Sequence, residues 1–394
     1  MVHQSTIRYD LNASQSAKGI ALLLLLWHHL FFEKCDITSL PVCVSSNFAQ
    51  VCVAIFVILS GYGLAVSVQD KRIGLLSFYK KRLPRLYLNY WLIALIFISI
   101  GILLYGYRPL YTAFPTEPYL KLFIQMTGFH MFIDSVGYGY NPAWWFMSLI
   151  LSLYLLFPLI YYLIKKFGFW FLLVCFLFNF PLGHVTKWFL FLTVWLFTFA
   201  LGIYLARTNG LVRISERLKT TGVFRFILLG VGILLAVYIR QAVTINIDFL
   251  RTPGFDGIYA LIILLFIFEI TQSHPLLQRI LAFLGNHLFN IFLFHTLIIL
   301  YWPDFIYGFQ YPYLIFLVLL TISLMVSEAI GYIMKLLQFD IILLWIDGIK
   351  VRDIFFINAG SVPMLQQETV SSGRKREKRG AHTVGITNYK KKRP

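Results

Sequence analysis

Residues 48–68 read FAQVCVAIFVILSGYGLAVSV, a run without a charged side chain. Wound as a helix it is about 30 Å long, the thickness of the hydrocarbon core of a bilayer. A strand of a membrane barrel would be about ten residues long and would alternate in polarity; this run does neither. Similar runs lie on both sides of it, at about 15–33, 86–105, 143–164, 167–182, 186–206, 222–240, 255–272, 283–301 and 312–337. The shortest, 167–182, is cut by Pro181 and Gly183. The first follows Arg8 and Lys18 like a signal peptide, but no small-residue cleavage pattern ends it and more spans follow, so it reads as a membrane helix. Across all 394 residues, 59% are hydrophobic and 13% charged, with a mean hydropathy of +0.75. A soluble globular protein, with roughly a quarter of its residues charged, is excluded, and so is disorder over most of the length. The fold expected is an all-α integral membrane bundle of about ten transmembrane helices.

Charge orients the bundle. With the N-terminus inside, fourteen Lys and Arg residues fall in cytoplasmic loops and six outside, which obeys the positive-inside rule. An even number of spans then puts both termini in the cytoplasm. Of the formal net charge of +17, the tail from Arg374 onward carries +8. The charge is therefore loop anchoring plus a basic tail rather than a nucleic-acid surface, and no nucleic-acid motif appears. The expected divisions are a membrane domain over 1–337, an amphipathic surface segment over 338–370 and a basic, disordered tail over 371–394, suited to membrane lipids. The four cysteines show no metal spacing. Cys35 and Cys43 share a loop and read as ordinary thiols, with pairing as the alternative if the loop faces an oxidising space.

Ionisable groups inside spans are expensive and mark function. Lys18 and His29 are eleven residues apart, and eleven steps of roughly 100° return to within about 20° of one face. His29 then lies about 16 Å beyond Lys18. His28, one step off that face, is expected to pack against a neighbouring helix or to face the outer interface. Ser60, Gly61 and Tyr62 suit a close helix crossing with hydrogen bonds across it. Arg82 and Arg85 share a helix face at the cytoplasmic edge and read either as membrane anchors or as a clamp for phosphate, with Pro84 in the first turn of its span. Residues 119–133 suggest a short interfacial or re-entrant helix inside the long outer loop from Gly106 to Trp145. That loop carries Asp134, Asn141 and Trp145, whose polar groups and aromatic face suit a sugar. Asn290 and His295 lie in the ninth span and Glu328 in the last, where an acid should point into the bundle.

Together these motifs resemble the membrane acyltransferase-3 superfamily, whose members typically O-acylate bacterial cell-surface glycans. The family's Arg, ten residues, His is matched by Lys18 and His29, and its Ser-Gly-Tyr by Ser60 to Tyr62. Its Arg-x-x-Arg is matched by Arg82 and Arg85, and its Trp-Phe followed by Tyr-Leu-x-x-Pro by Trp145, Phe146, Tyr154 and Pro158. A late Leu-Gly pattern ending in His is matched by Leu284, Gly285 and His295, and a final acid by Glu328. Two departures stand out: Lys replaces Arg at 18, and Ile150 and Leu151 stand where one branch has paired glutamates.

The resemblance implies an O-acyltransferase of the bacterial cytoplasmic membrane that moves an acetyl group from cytoplasmic acetyl-CoA to a glycan hydroxyl. It implies no permanently bound cofactor and no metal. A neutral imidazole serves as general base or as transient acyl acceptor, so His29 is the expected catalytic group, with Glu328 either orienting it or bridging helices. Lys18, Arg82 and Arg85 are expected at the acyl-CoA. Asp134, Asn141 and Trp145 are expected at the glycan acceptor, with Ser60, Tyr62 and His295 in support. The rival is a transporter, flippase or polymerase for lipid-linked glycans, which internal repeats would favour; none is evident.

Overall fold

In hydrocarbon every backbone N–H and C=O has to be satisfied within its own segment, so apolar runs of this length wind into helices. The structure, a computed structural model, describes residues 11–34, 38–69, 74–179, 187–242 and 252–346, and among them there is no strand. The helices are α1 (Leu11–Phe31), α2 (Leu40–Ala49), α3 (Cys52–Val68), α4 (Leu75–Tyr105), α5 (Arg108–Ala113), α6 (Pro118–Met126), α7 (Trp145–Phe167) and α8 (Phe169–Leu177). They continue with α9 (Lys187–Thr208), α10 (Gly210–Lys219), α11 (Phe224–Ala242), α12 (Pro253–Ser273), α13 (Pro275–Tyr301), α14 (Pro303–Tyr307), α15 (Pro312–Leu336) and α16 (Phe339–Ile346). Proline opens α12, α13 and α15, where its missing N–H costs nothing and its fixed φ suits the first turn. Gly168, at φ +56°, ends α7 in a conformation that favours glycine, and α8 starts immediately after it.

Among the described residues, eight stretches are long and apolar enough to cross a membrane, against the ten expected. The first expected span forms as α1, long enough at 21 residues but made less apolar by Gln15, Lys18, His28 and His29. The fifth forms only the nine-residue α8, about 14 Å long and too short to cross alone. Pro84 is not in a first turn, because α4 begins at Leu75 and carries Pro84, Arg82 and Arg85 inside it. The loop from Gly106 to Trp145 has structure of its own. It holds α5, α6 and short 3-10 turns at His130–Phe132 and Pro142–Trp144, tied together by the buried Gln125, which donates to Tyr138 O and accepts from Tyr140 N. Cys43 is disulfide-bonded rather than an ordinary thiol, Cys52 and Cys175 are free, and Cys35 lies outside the described residues.

The chain divides into two units, Met1–Phe339 and Asp340–Pro394. In the second, residues 340–346 belong to α16; the rest of the expected surface segment and the basic tail lie outside the described residues.

Within the first unit, α1 packs most extensively on α13, and α3 on α9. Lipid removes the hydrophobic drive between helices, so close backbone approach and hydrogen bonds hold them together. On α1, Gly19 lies against the carbonyl of Leu281, and Gly285 of α13 against that of Gln15. Ser16 Oγ donates to Gln278 O at 3.1 Å across the same seam. The helix carrying Lys18 and His29 is thereby pressed onto the helix carrying His295. Elsewhere Arg240 is buried: it binds Asp256 at 2.8 Å and donates to Asn47 O and Gln50 Oε1, joining α11 and α12 to the end of α2.

Candidate active site

The α1–α13 seam sets the centre of the site. His29 is half-buried, and its ring lies 4.7 Å from that of His295 and 5.1 Å from that of His28, centroid to centroid. It makes no hydrogen bond among the described residues. His28 points elsewhere: it is buried, and its Nδ1 donates to Ser46 O of α2 at 2.9 Å. His295 is fully buried, with Nδ1 2.9 Å from Ile291 O and 3.1 Å from Phe292 O and with Nε2 lacking a partner. Adjacent histidines thus divide into one structural ring and one unbonded ring that is partly open to a reactant.

The turn of α13 before His295 is clasped from the outer loop. Asn141 Nδ2 donates to Leu293 O at 3.1 Å, and Trp144 Nε1 donates to the same oxygen at 2.7 Å. Asn141 Oδ1 accepts from Ala143 N at 2.9 Å and from Thr296 Oγ1 at 2.7 Å. Asn141, expected at the glycan acceptor, is fully buried, with its amide engaged at both ends. Trp144, fully buried, is the residue that sequence reasoning passed over in favour of Trp145. Its signal was the Asn-Pro-x-Trp spacing, which forms a short turn capped by Asn141. Trp145 itself is half-buried against Phe191 and Trp195 of α9. Asp134 is exposed on the outer loop. The same loop buries His130, whose Nδ1 lies 3.3 Å from Ser148 Oγ; burial pushes its pKa down to about 4.

Nearer the start of α4, three motif residues from three helices come within electrostatic reach of one another: Tyr154 of α7 interacts with Ser60 of α3 and with the guanidinium of Arg82. Arg85 is exposed. Arg82 and Arg85 precede Asn89 by seven and four residues, so all three share one face of α4. Asn89 Nδ2 donates to Asn290 Oδ1 of α13 at 3.0 Å. Four residues before Asn290, Asn286 lines a cavity of 440 Å³ with Asn12, Gln278, Arg279, Ala282 and Phe283, at the starts of α1 and α13. Lys18 is half-buried and makes no hydrogen bond or ion pair among the described residues. Tyr62 is buried in the core beside the Gly61 crossing.

Glu328 is not brought to His29. Its side chain is 64% exposed and lies 3.4 Å from Nε2 of His287, whose Nδ1 is 3.0 Å from Ser327 Oγ. His287 is eight residues before His295 on α13, about 12 Å along the axis. Of the two roles expected for Glu328, the Glu328–His287 contact between α15 and α13 fits the bridge between helices. No group of three His, Cys, Asp or Glu among the described residues is arranged to hold a metal ion.

A family model described as an acyltransferase domain matches residues 12–332, from the first turn of α1 to α15. No curated protein and no solved structure matches the chain.

Proposed function

Because the chain belongs to this acyltransferase family, we propose that it moves an acetyl group from cytoplasmic acetyl-CoA to a hydroxyl of a cell-surface or lipid-linked glycan. Its place in this reading is the bacterial cytoplasmic membrane, with both termini in the cytoplasm. The observation that supports it best is His29: an imidazole free of hydrogen bonds, partly open, on the helix face that carries Lys18 toward the cytoplasm. The acceptor hydroxyl gives its proton to a ring nitrogen of His29 as its oxygen bonds to the thioester carbonyl carbon. The carbon–sulfur bond then breaks, and the departing CoA thiolate takes that proton back from His29. An ester and free CoA remain, and His29 is neutral again.

Arg82 and Arg85 supply guanidinium groups for the phosphates of CoA, and Lys18 supplies a point charge on the helix face that carries His29. Asp134 and Trp145 belong to the acceptor end. Asn141, His295, Ser60 and Tyr62 hold the walls. The test is CoA release from acetyl-CoA by purified protein with envelope glycans as acceptors, together with recovery of labelled acetyl ester on the glycan. Both signals are expected from the native chain and neither from His29→Ala. Equal thiol release and no acetyl ester with either protein would overturn the proposal.

A further inference from the structure

One face of His295 is committed and the other is not. Both oxygens within reach of its Nδ1 are backbone carbonyls, which only accept, so Nδ1 carries the ring proton. Nε2 is then an acceptor, buried and without a hydrogen-bond partner among the described residues. Buried polar atoms left unmade are rare in native structures, and each calls for an explanation. Across the helix crossing lies the ring of His29, 4.7 Å away with its plane turned by 65°, so that one ring presents its edge to the other. His29 in turn has no hydrogen bond to fix which of its nitrogens carries the proton.

We infer that His295 Nε2 accepts a hydrogen bond from one N–H of His29 during turnover and so holds the tautomer whose other nitrogen is free to take the acceptor's proton. The inference rests on the reading of His29 as the base. A neutral imidazole has one N–H, and in the wrong tautomer it would present that N–H to the hydroxyl and could not act as a base. The ring of His295 is suited to the task because its own N–H is anchored to the backbone of α13, which the glycine seam and the Asn141–Trp144 clasp hold in place. Contacts of this kind are often long or poorly aligned in ligand-free proteins and tighten when substrate is bound. His295 is thus a positioning residue: it acts through His29 and touches no reactant.

Two substitutions separate positioning from packing. His295→Phe keeps a ring and removes the acceptor, whereas His295→Gln keeps an oxygen that can accept and an amide that can donate to the helix carbonyls. We expect His295→Phe to lower kcat about 10- to 100-fold, the cost seen when a metal-bound histidine loses its outer hydrogen-bond partner, with KM for acetyl-CoA unchanged and with a substantial part of kcat regained in His295→Gln. Nitrogen NMR of histidine-labelled protein saturated with CoA, with the His29 signals identified by their loss in His29→Gln, reads the tautomer without turnover. One dominant tautomer in the native chain and a mixture in His295→Phe support the inference. The same His29 tautomer in both proteins overturns it, as does an unchanged kcat in His295→Phe. A tautomer that shifts as expected in a protein that transfers no acetyl group would support the positioning and overturn the reading of the reaction.

Discussion

Gly285 of α13 lies against the backbone oxygen of Gln15 on α1 so closely that a Cβ there would overlap it. Gly19 stands in the same relation to Leu281 O, so the two helices meet backbone to backbone from both sides. That contact sets how near α13 brings His295 to His29, ten residues beyond each glycine on its own helix.

Gly285→Ala and Gly19→Ala are therefore expected to destabilise the bundle by about 1–3 kcal/mol, as overpacking does, and to lower activity more than folded yield. Gly63→Ala is the control. It lies in α3 with open space around a Cβ, so it should be neutral or stabilising by up to about 1 kcal/mol through helix propensity. Thermal unfolding in detergent, followed by size-exclusion recovery, ranks the three. Equal melting temperatures for Gly285→Ala and Gly63→Ala would show that the seam relaxes freely.

The two adjacent histidines should separate by assay. Loss of a general base costs about 10²–10⁴-fold in rate, so His29→Ala should fall to that level with near-native stability. His28→Ala should keep most of its transferase activity and lose about 1 kcal/mol of stability, because it abandons Ser46 O in a buried setting. Acetyl transfer and melting temperature measured on both variants at equal expression check the division.

The bundle was largely legible in the sequence because a hydrocarbon span is a length and a composition. The two spans that fell short did so for opposite reasons, α1 by its polar residues and α8 by its length. Periodicity along one helix also put Lys18 and His29 on one face. It could not say which helix would lie opposite, so the His29–His295 approach and the Tyr154–Ser60–Arg82 cluster had to come from the fold. Glu328 stayed open between two roles for the same reason: an acid in a span needs a partner, but only packing revealed that the partner is His287. Asn141 could not be placed from sequence because a polar side chain near tryptophans reads equally well as a sugar contact and as a cap.

Arg82 and Arg85 differ in setting, and their variants should differ accordingly. A charged hydrogen bond to phosphate contributes about 1.5–3 kcal/mol, so each Arg→Ala change should weaken CoA about 10- to 100-fold. Arg85 is exposed, and its loss should leave the melting temperature unchanged; Arg82 is half-buried and interacts electrostatically with Tyr154, and its loss should lower it. Calorimetry with CoA on detergent-purified protein reads the first effect and thermal unfolding the second. Unchanged CoA affinity in both variants would return these residues to plain membrane anchors.

His130 makes the outer loop sensitive to acid. Its folded pKa is about 4 against 6.5 for an unperturbed histidine, because burial disfavours the charged ring. Between those values the unfolded chain binds a proton that the folded chain does not, so stability falls as pH drops from about 6.5 toward 4. Above about 6.5 both states are neutral and the effect vanishes; below about 4 both are charged and the loss levels off. A difference of this size corresponds to roughly 3 kcal/mol at the acid end. Other histidines titrate too, so the quantity to measure is the difference between native protein and His130→Gln, which keeps a polar group for Ser148 and removes the titration. The native chain should lose stability relative to the variant on going from pH 7 to pH 4.5. Parallel unfolding curves over that range would mean that His130 opens to solvent before the bundle unfolds.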